Sequence, residues 1–375
     1  MKKFAALLLA LSVSVSMVGC AKTSEAPAGA KESEKQSEAS AAAGEEGKTW
    51  KIAVLLPRVG DQSYYDAVNS GRMVLDGYEN VETTLFEIGE DDSTWESYFI
   101  DACEGGYDLI VAGFARVEPY LYEMAKQYPD QLFFNFDYSN PEELPNVFAV
   151  NYAMSDLGYI AGALSSQITT SEMPNANPDK KVGVIVGEDS DYMNDFIGGY
   201  CQACTEQGVK VYLSYTSSFV DAAKAKEQAL AMYNEGVDVI WQVAGGAGLG
   251  VFEAAADAGK YAIGVDSDQT VAFAGQPQIA ETIVTSMIKD CGKGLIYAAE
   301  LMFNGEYPAG EIRTLGFPED AIGVADNDQY KTMVPEEIRT GISEVMAQIK
   351  NGEIHPYSVI AEPDKWEEVK NAAIN

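Results

Sequence analysis

Short clusters of aromatic, acidic and glycine residues follow apolar runs along this chain. They are Gly60-Asp61-Gln62-Ser63-Tyr64-Tyr65-Asp66, Asn135-Phe136-Asp137, Asp189 to Phe196, Ser217 to Asp221, Ala244 to Gly248, and Gly264-Val265-Asp266-Ser267-Asp268. Rings can stack on a flat molecule, and carboxylates accept paired hydrogen bonds from hydroxyls or ring N–H groups. Glycines let the backbone approach a ligand closely. The chemistry implied is non-covalent capture of a neutral, flat, hydroxylated molecule. Any one of these clusters has a plainer use: Asp61, Asp189 and Asp221 each stand where an aspartate caps a helix. Gly245-Gly246-x-Gly248 has neither the lysine of a phosphate loop nor the spacing of a dinucleotide fingerprint.

Catalytic and metal chemistry find little support. The one histidine is His355, near the tail, and no serine–histidine or metal-ligand cluster is visible in the body. No cofactor and no metal is expected. Besides Cys20 there are Cys103, Cys201, Cys204 and Cys291, and any of three pairings is open to them. Cys201 and Cys204 form a C-x-x-C late in a helical stretch, Asp191 to Gln207, rather than at a helix start. They read as small buried apolar residues.

The elements that position these clusters alternate. Apolar runs at Lys51–Leu56, Asp108–Ala112 and Gln131–Phe136, and an alternating run at Val81–Ile88, read as strands. A helical pattern follows the first at Tyr64–Leu75. The pattern restarts at Lys181–Val186, with strands at Val209–Tyr215, Asp238–Val243 and Tyr261–Val265 and a helix at Ala222–Glu235 between them. Strands alternating with helices predict an α/β fold with two doubly wound parallel-sheet lobes. Ligands bind outside the carboxyl ends of such strands, so two facing sheets make a cleft mouth from the clusters above. A first crossover is expected at Asn151–Asp156, a second near Asp268–Thr270 and a third after Tyr307. The chain is expected to return to the first unit at Gln278–Thr285 and a helix Ser286–Phe303. An amphipathic helix Pro335–Lys350 closes the chain.

The N-terminus has another character. Lys2 and Lys3 precede an apolar run to Val18, then Gly19 and Cys20, the layout of a secretory signal peptide. Met17-Val18-Gly19-Cys20 resembles a bacterial lipobox, which marks Cys20 for lipidation, by palmitate among other acyl chains. Residues 21–48 lack aromatics and branched aliphatics and read as a disordered tether. The expected organisation is a signal at 1–20, the tether at 21–48, an N-lobe of 49–152 plus about 270–312, and a C-lobe of 153–269 plus about 313–375. A net charge of −33 argues against nucleic acid and against a polyanionic ligand.

Trp241-Gln-Val-Ala-Gly-Gly-Ala-Gly-Leu-Gly-Val-Phe252 and Ile263-Gly-Val-Asp-Ser-Asp-Gln269 resemble the Bmp/Med family of basic membrane lipoproteins. Asp61-Gln-Ser-Tyr64, Ser218-Phe-Val-Asp-Ala-Ala-Lys224 and Ser286-Met-Ile-Lys289 add to the likeness, which spans nearly all of residues 50–350. The resemblance implies a type I periplasmic-binding-protein fold with three crossovers. It implies a monomeric, non-enzymatic clamp that is lipid-anchored on the extracytoplasmic face of the cell membrane and passes a nucleoside to an ABC permease. It also implies that Tyr64 and Phe196 sandwich the base, that Asp137, Asp266 and Lys289 hold the ribose, and that Asp61 and Gly246 line the mouth. Tyr65 stands where the family usually has an asparagine that contacts the base. A sugar ligand, a ligand-sensing receptor component and a nucleoside hydrolase are the rival readings.

Overall fold

The computed structural model describes residues 47–374. Cys20, the signal and the tether as far as residue 46 lie outside the described residues. Among the described residues no helix is long and apolar enough to cross a membrane.

The first apolar run forms β1 (Trp50–Leu56), buried from Ile52 onward. A strand buried on both faces needs no alternation, and helices cover both faces here. Around it lie α1 (Tyr64–Asp76), β2 (Val81–Glu87), α2 (Trp95–Glu104), β3 (Leu109–Ala112), α3 (Glu118–Gln127), β4 (Leu132–Asn135) and β5 (Val147–Tyr152). The alternating run at β2 is an edge strand, which explains its pattern.

After β5 the chain crosses through α4 (Met154–Thr169) into a second sheet. Its elements are β6 (Lys181–Val186), α5 (Asp191–Glu206), β7 (Lys210–Tyr215), α6 (Ala222–Asn234), β8 (Val239–Val243), α7 (Leu249–Ala258), β9 (Tyr261–Asp266), α8 (Pro277–Ala280) and β10 (Ile283–Lys289). Then come α9 (Cys291–Phe303), β11 (Ile312–Leu315), β12 (Ile322–Val324), α10 (Asp328–Met333), α11 (Glu336–Lys350) and α12 (Trp366–Ile374). The strand orders are β11-β5-β4-β3-β1-β2 and β12-β10-β9-β8-β6-β7. Every pairing is parallel except β10 with β12. This is the α/β, two-sheet architecture expected from the alternation.

The return to the first sheet differs from expectation. Ile283–Lys289 pairs with β9, so this segment extends the second sheet, and Ser286–Lys289 is strand rather than helix. The helix begins only at Cys291, where the Asp290 carboxylate caps it by accepting from Lys293 N. The second crossing is therefore at Asp290, not at Asp268–Thr270, and α9 then packs on α1. Gly71 and Gly292 make that approach possible, since a Cβ on either would overlap the other helix's backbone. The third crossing is the stretch between β11 and β12. The three crossings lie side by side: Ala153 N donates to Leu315 O at 2.9 Å and Asp290 N to Ala321 O at 2.8 Å. One apolar core runs from the inner face of the first sheet through α4 and α5 to the second.

Candidate functional site

The carboxyl ends of the two sheets face each other, and named side chains meet there. Asp137 follows β4, and Lys289 ends β10. The Lys289 Nζ donates to Asp137 Oδ2 at 2.6 Å, with both side chains almost wholly buried. Tyr192, in the first turn of α5, donates its hydroxyl to the other Asp137 oxygen. Burial alone would pull the Lys289 ammonium down, but the Asp137 carboxylate reverses this and holds its pKa above the ordinary lysine value. Four rings surround that ammonium: Tyr64 at 4.8 Å, Tyr152 at 5.5 Å, Phe196 at 5.7 Å and Tyr192 at 5.8 Å to the centroids. Such faces attract a cation.

A second pair lies alongside. Ser63 Oγ, before α1, donates to Asp266 Oδ2 at 2.6 Å. Burial pushes the Asp266 carboxyl up to about 6, against the pull of Lys289 and Ser63. Asp266 has φ of 66°, a left-handed conformation that Asp tolerates better than most residues. A third contact runs from the Gln269 Nε2 to Gln62 O at 3.1 Å. The Gln269 side chain is fixed by Gln242 Nε2 at 2.5 Å and Val265 N at 2.9 Å, both donating to its oxygen.

The expected residues distribute as follows. Asp137, Asp266 and Lys289 come together. Tyr64 joins them, and its buried hydroxyl has no hydrogen-bond partner among the described residues. A buried polar atom without a partner calls for an explanation. Burial and Asp137 push its pKa well up, so it stays a donor. The Asp61 carboxylate is spent on its own helix: it accepts from the backbone N–H groups of Ser63, Tyr65 and Asp66 at 3.0–3.1 Å. Asp61 also lines a mouth cavity of about 370 Å³ with Arg58, Gly60, Val220, Gly246 and Leu249. Tyr65 packs edge-on against Tyr64 at 5.2 Å and against Phe114 at 5.6 Å.

Phe196 is nearly buried, edge-on against Trp241 at 5.9 Å, and bounds the floor. The open ring of the second sheet is Phe219, 39% exposed, seated over Gly187 where no Cβ would fit. Sequence reasoning passed over Tyr192, Ser63, Gln269 and Phe219. All four lie in or beside the quoted clusters, so the clusters were the signal. The direction of each side chain was not.

The arrangement can hold hydroxyls on Asp137 and Asp266, donate from Lys289 and Tyr64, and stack a ring near the mouth. Among the described residues no group of three or more His, Cys, Asp or Glu could hold a metal ion. Cys201 and Cys204 are buried free thiols whose pKa values burial pushes up, as small apolar residues would be placed.

Comparison with known proteins adds an independent finding. Residues 50–355 match the family described as "ABC transporter substrate-binding protein PnrA-like". The chain is 28% identical over 278 residues to the "ABC transporter nucleoside-binding protein BmpA" of Lactococcus lactis subsp. cremoris, covering 70% of this chain and 74% of that protein. It is 25% identical over 301 residues to "Basic membrane protein A" of Borreliella burgdorferi, covering 77% and 84%. Among solved structures, an ABC transporter solute-binding protein from Aeropyrum pernix K1 superposes with a TM-score of 0.73 at 21% identity, covering 87% of this chain and all of that one.

Proposed function

Since this chain belongs to the Bmp family of PnrA-like ABC transporter substrate-binding proteins, which are not enzymes, we propose that it captures a purine nucleoside between its two sheets and delivers it to a membrane permease. In this reading the protein is a monomer held at the extracytoplasmic face by a lipid on Cys20. Its lobes are the two sheets with their helices, and the three adjacent crossings are the hinge. The relative named as nucleoside-binding supports the ligand class.

The observation that carries the reading is the make-up of the cleft contacts. Asp137 with Lys289, Ser63 with Asp266, and Gln62 with Gln269 each join the end of one sheet to the end of the other. A ligand with hydroxyls that bridges the same groups stabilises the closed form over the open one, and only such differential affinity moves the equilibrium. The ribose hydroxyls lie on Asp137 and Asp266, which accept, and on Lys289, which donates. The base stacks between Tyr64 and a second-lobe ring, for which Phe219 is better exposed than Phe196. The unpartnered Tyr64 hydroxyl gains an acceptor from the ligand.

Calorimetric titration of ligand-stripped protein with adenosine, guanosine, inosine, cytidine, uridine, ribose and galactose tests the proposal. Saturable binding of purine nucleosides is expected; binding of a sugar without any nucleoside overturns it. Tyr64→Ala should weaken purine nucleosides by about 10- to 100-fold, the worth of one stacked base on an aromatic ring. Ribose affinity should fall much less.

A further inference from the structure

The cleft mouth carries a cation that the contacts above leave unexplained. Arg58 lines the mouth cavity, and its guanidinium lies 5.6 Å from the Tyr65 ring centroid. It is ion-paired with Glu90 through Nη1. Glu90 is shared, because Arg116 reaches its carboxylate at 3.4 Å and its carbonyl at 3.1 Å. The remaining Arg58 N–H groups have no partner among the described residues. The carboxylates of Asp61 and Asp66 are held by their own loop: Asp61 accepts from three backbone N–H groups, and Asp66 accepts from Gly60 N at 2.6 Å and Gln62 N at 2.9 Å. Arg58 is the cation among the residues lining the mouth cavity, in a chain that is otherwise strongly acidic.

The wall that holds Arg58 is built with strain. Tyr65 packs on Phe114, whose φ of 108° is a genuine outlier for a bulky residue. The Phe114 ring is fixed from behind by Trp95, edge-on at 5.8 Å. Strained backbone of this kind gathers at ligand clamps, where the surrounding packing maintains it.

We infer that Arg58, seated on Tyr65, reads the exposed edge of the base and selects a 6-oxopurine nucleoside over a 6-aminopurine one. This rests on the nucleoside reading above and sharpens it. A 6-oxopurine presents two acceptors, O6 and N7, spaced for the two prongs of a guanidinium, whereas adenine sets an amino donor beside N7. Its amino group would set a donor against the guanidinium and leave N7 as the one acceptor on that edge. Hydroxyl recognition at Asp137, Asp266 and Lys289 does not distinguish the two bases, so the choice falls to the mouth.

The test is titration of inosine, guanosine and adenosine into ligand-stripped wild type, Arg58→Ala and Arg58→Lys, with thermal melting to verify folding. Wild type should bind inosine and guanosine at least about 10-fold tighter than adenosine, the discrimination of one bidentate pair. Arg58→Ala should bring the three affinities within about 3-fold of each other, mainly by weakening the oxopurines, and Arg58→Lys should fall between. Equal binding of all three by wild type, or an equal loss for all three in Arg58→Ala, overturns the role of Arg58 and leaves the nucleoside reading standing. Absence of binding for every nucleoside overturns both.

Discussion

Asp266 holds its carboxylate against Ser63 in a buried cleft that also contains Asp61, Asp137 and Lys289. Burial lifts its pKa to about 6, above the ordinary carboxylate value of about 4. The folded state therefore binds this proton more tightly than the unfolded chain does. The stabilisation is complete below about pH 4 and is lost as pH rises through about 6. Asp156, raised to about 6 by burial and by Asp195, acts in the same window. Asn is an uncharged stand-in for the protonated acid. Ligand-free Asp266→Asn should thus match wild type at pH 4 and exceed its stability at pH 7.5 by on the order of 2 kcal/mol. Denaturant titration at both pH values measures this; an equal gap at the two would sink the argument. At this scale the sequence revealed position better than direction. The rule that ligands gather at the carboxyl ends of strands was enough to bring Asp137, Gly246 and Asp266 to the cleft. Which ring of a cluster turns inward depends on helix phase and on backbone outliers. Neither Tyr192 nor the exposed Phe219 could be singled out from composition.

The helices α4 and α5 pack against each other along an extensive face, and glycines set the distance. A Cβ on Gly158 would overlap Phe196 O, and one on Gly199 would overlap Ser155 O. Because α5 carries both Tyr192 and Phe196, its separation from α4 sets where those rings stand. Gly158→Ala should cost about 1–3 kcal/mol, as overpacking does, and should also weaken ligand binding. Gly323→Ala in β12, where nothing lies within 4 Å of the added carbon, is the control and should leave both within about 0.5 kcal/mol. Urea melts paired with titration separate the two. Most strands and helices were legible from periodicity because buried parallel strands are short continuous apolar runs. The segment Ile283–Lys289 was not, because an apolar run of that length suits a strand or a buried helix equally. Pairing with β9, a tertiary event, decides it. The acidic run Asp189–Asp195 hid a structural role as well. Asp195 accepts from Ser358 Oγ at 2.6 Å and Ile360 N at 3.2 Å, so it straps the C-terminal segment onto α5.

At the scale of the whole molecule, a few polar contacts join the ends of the two sheets across the cleft, and Lys289 makes one of them. Removing its charge leaves Asp137 buried with a tyrosine hydroxyl alone, a situation that costs about 3–5 kcal/mol. The two sheets can relieve that cost by parting and admitting water to the carboxylate. Lys289→Met is therefore expected to lose ligand binding and to show a larger radius of gyration by X-ray scattering. Adding Asp137→Asn should restore compactness without restoring affinity. An unchanged radius in the single variant would mean that the ion pair does not govern closure. The strand orders carry a consequence for how the protein is made. Each sheet takes an edge strand from the same late stretch, β11 for the first and β12 for the second. Until residue 315 has arrived, β5 remains an open edge; until residue 324 has arrived, β10 does too. Neither half can complete its sheet early in synthesis. Nearly the whole polypeptide must be present first, and an incomplete chain exposes bare strand edges of the kind that recruit other chains.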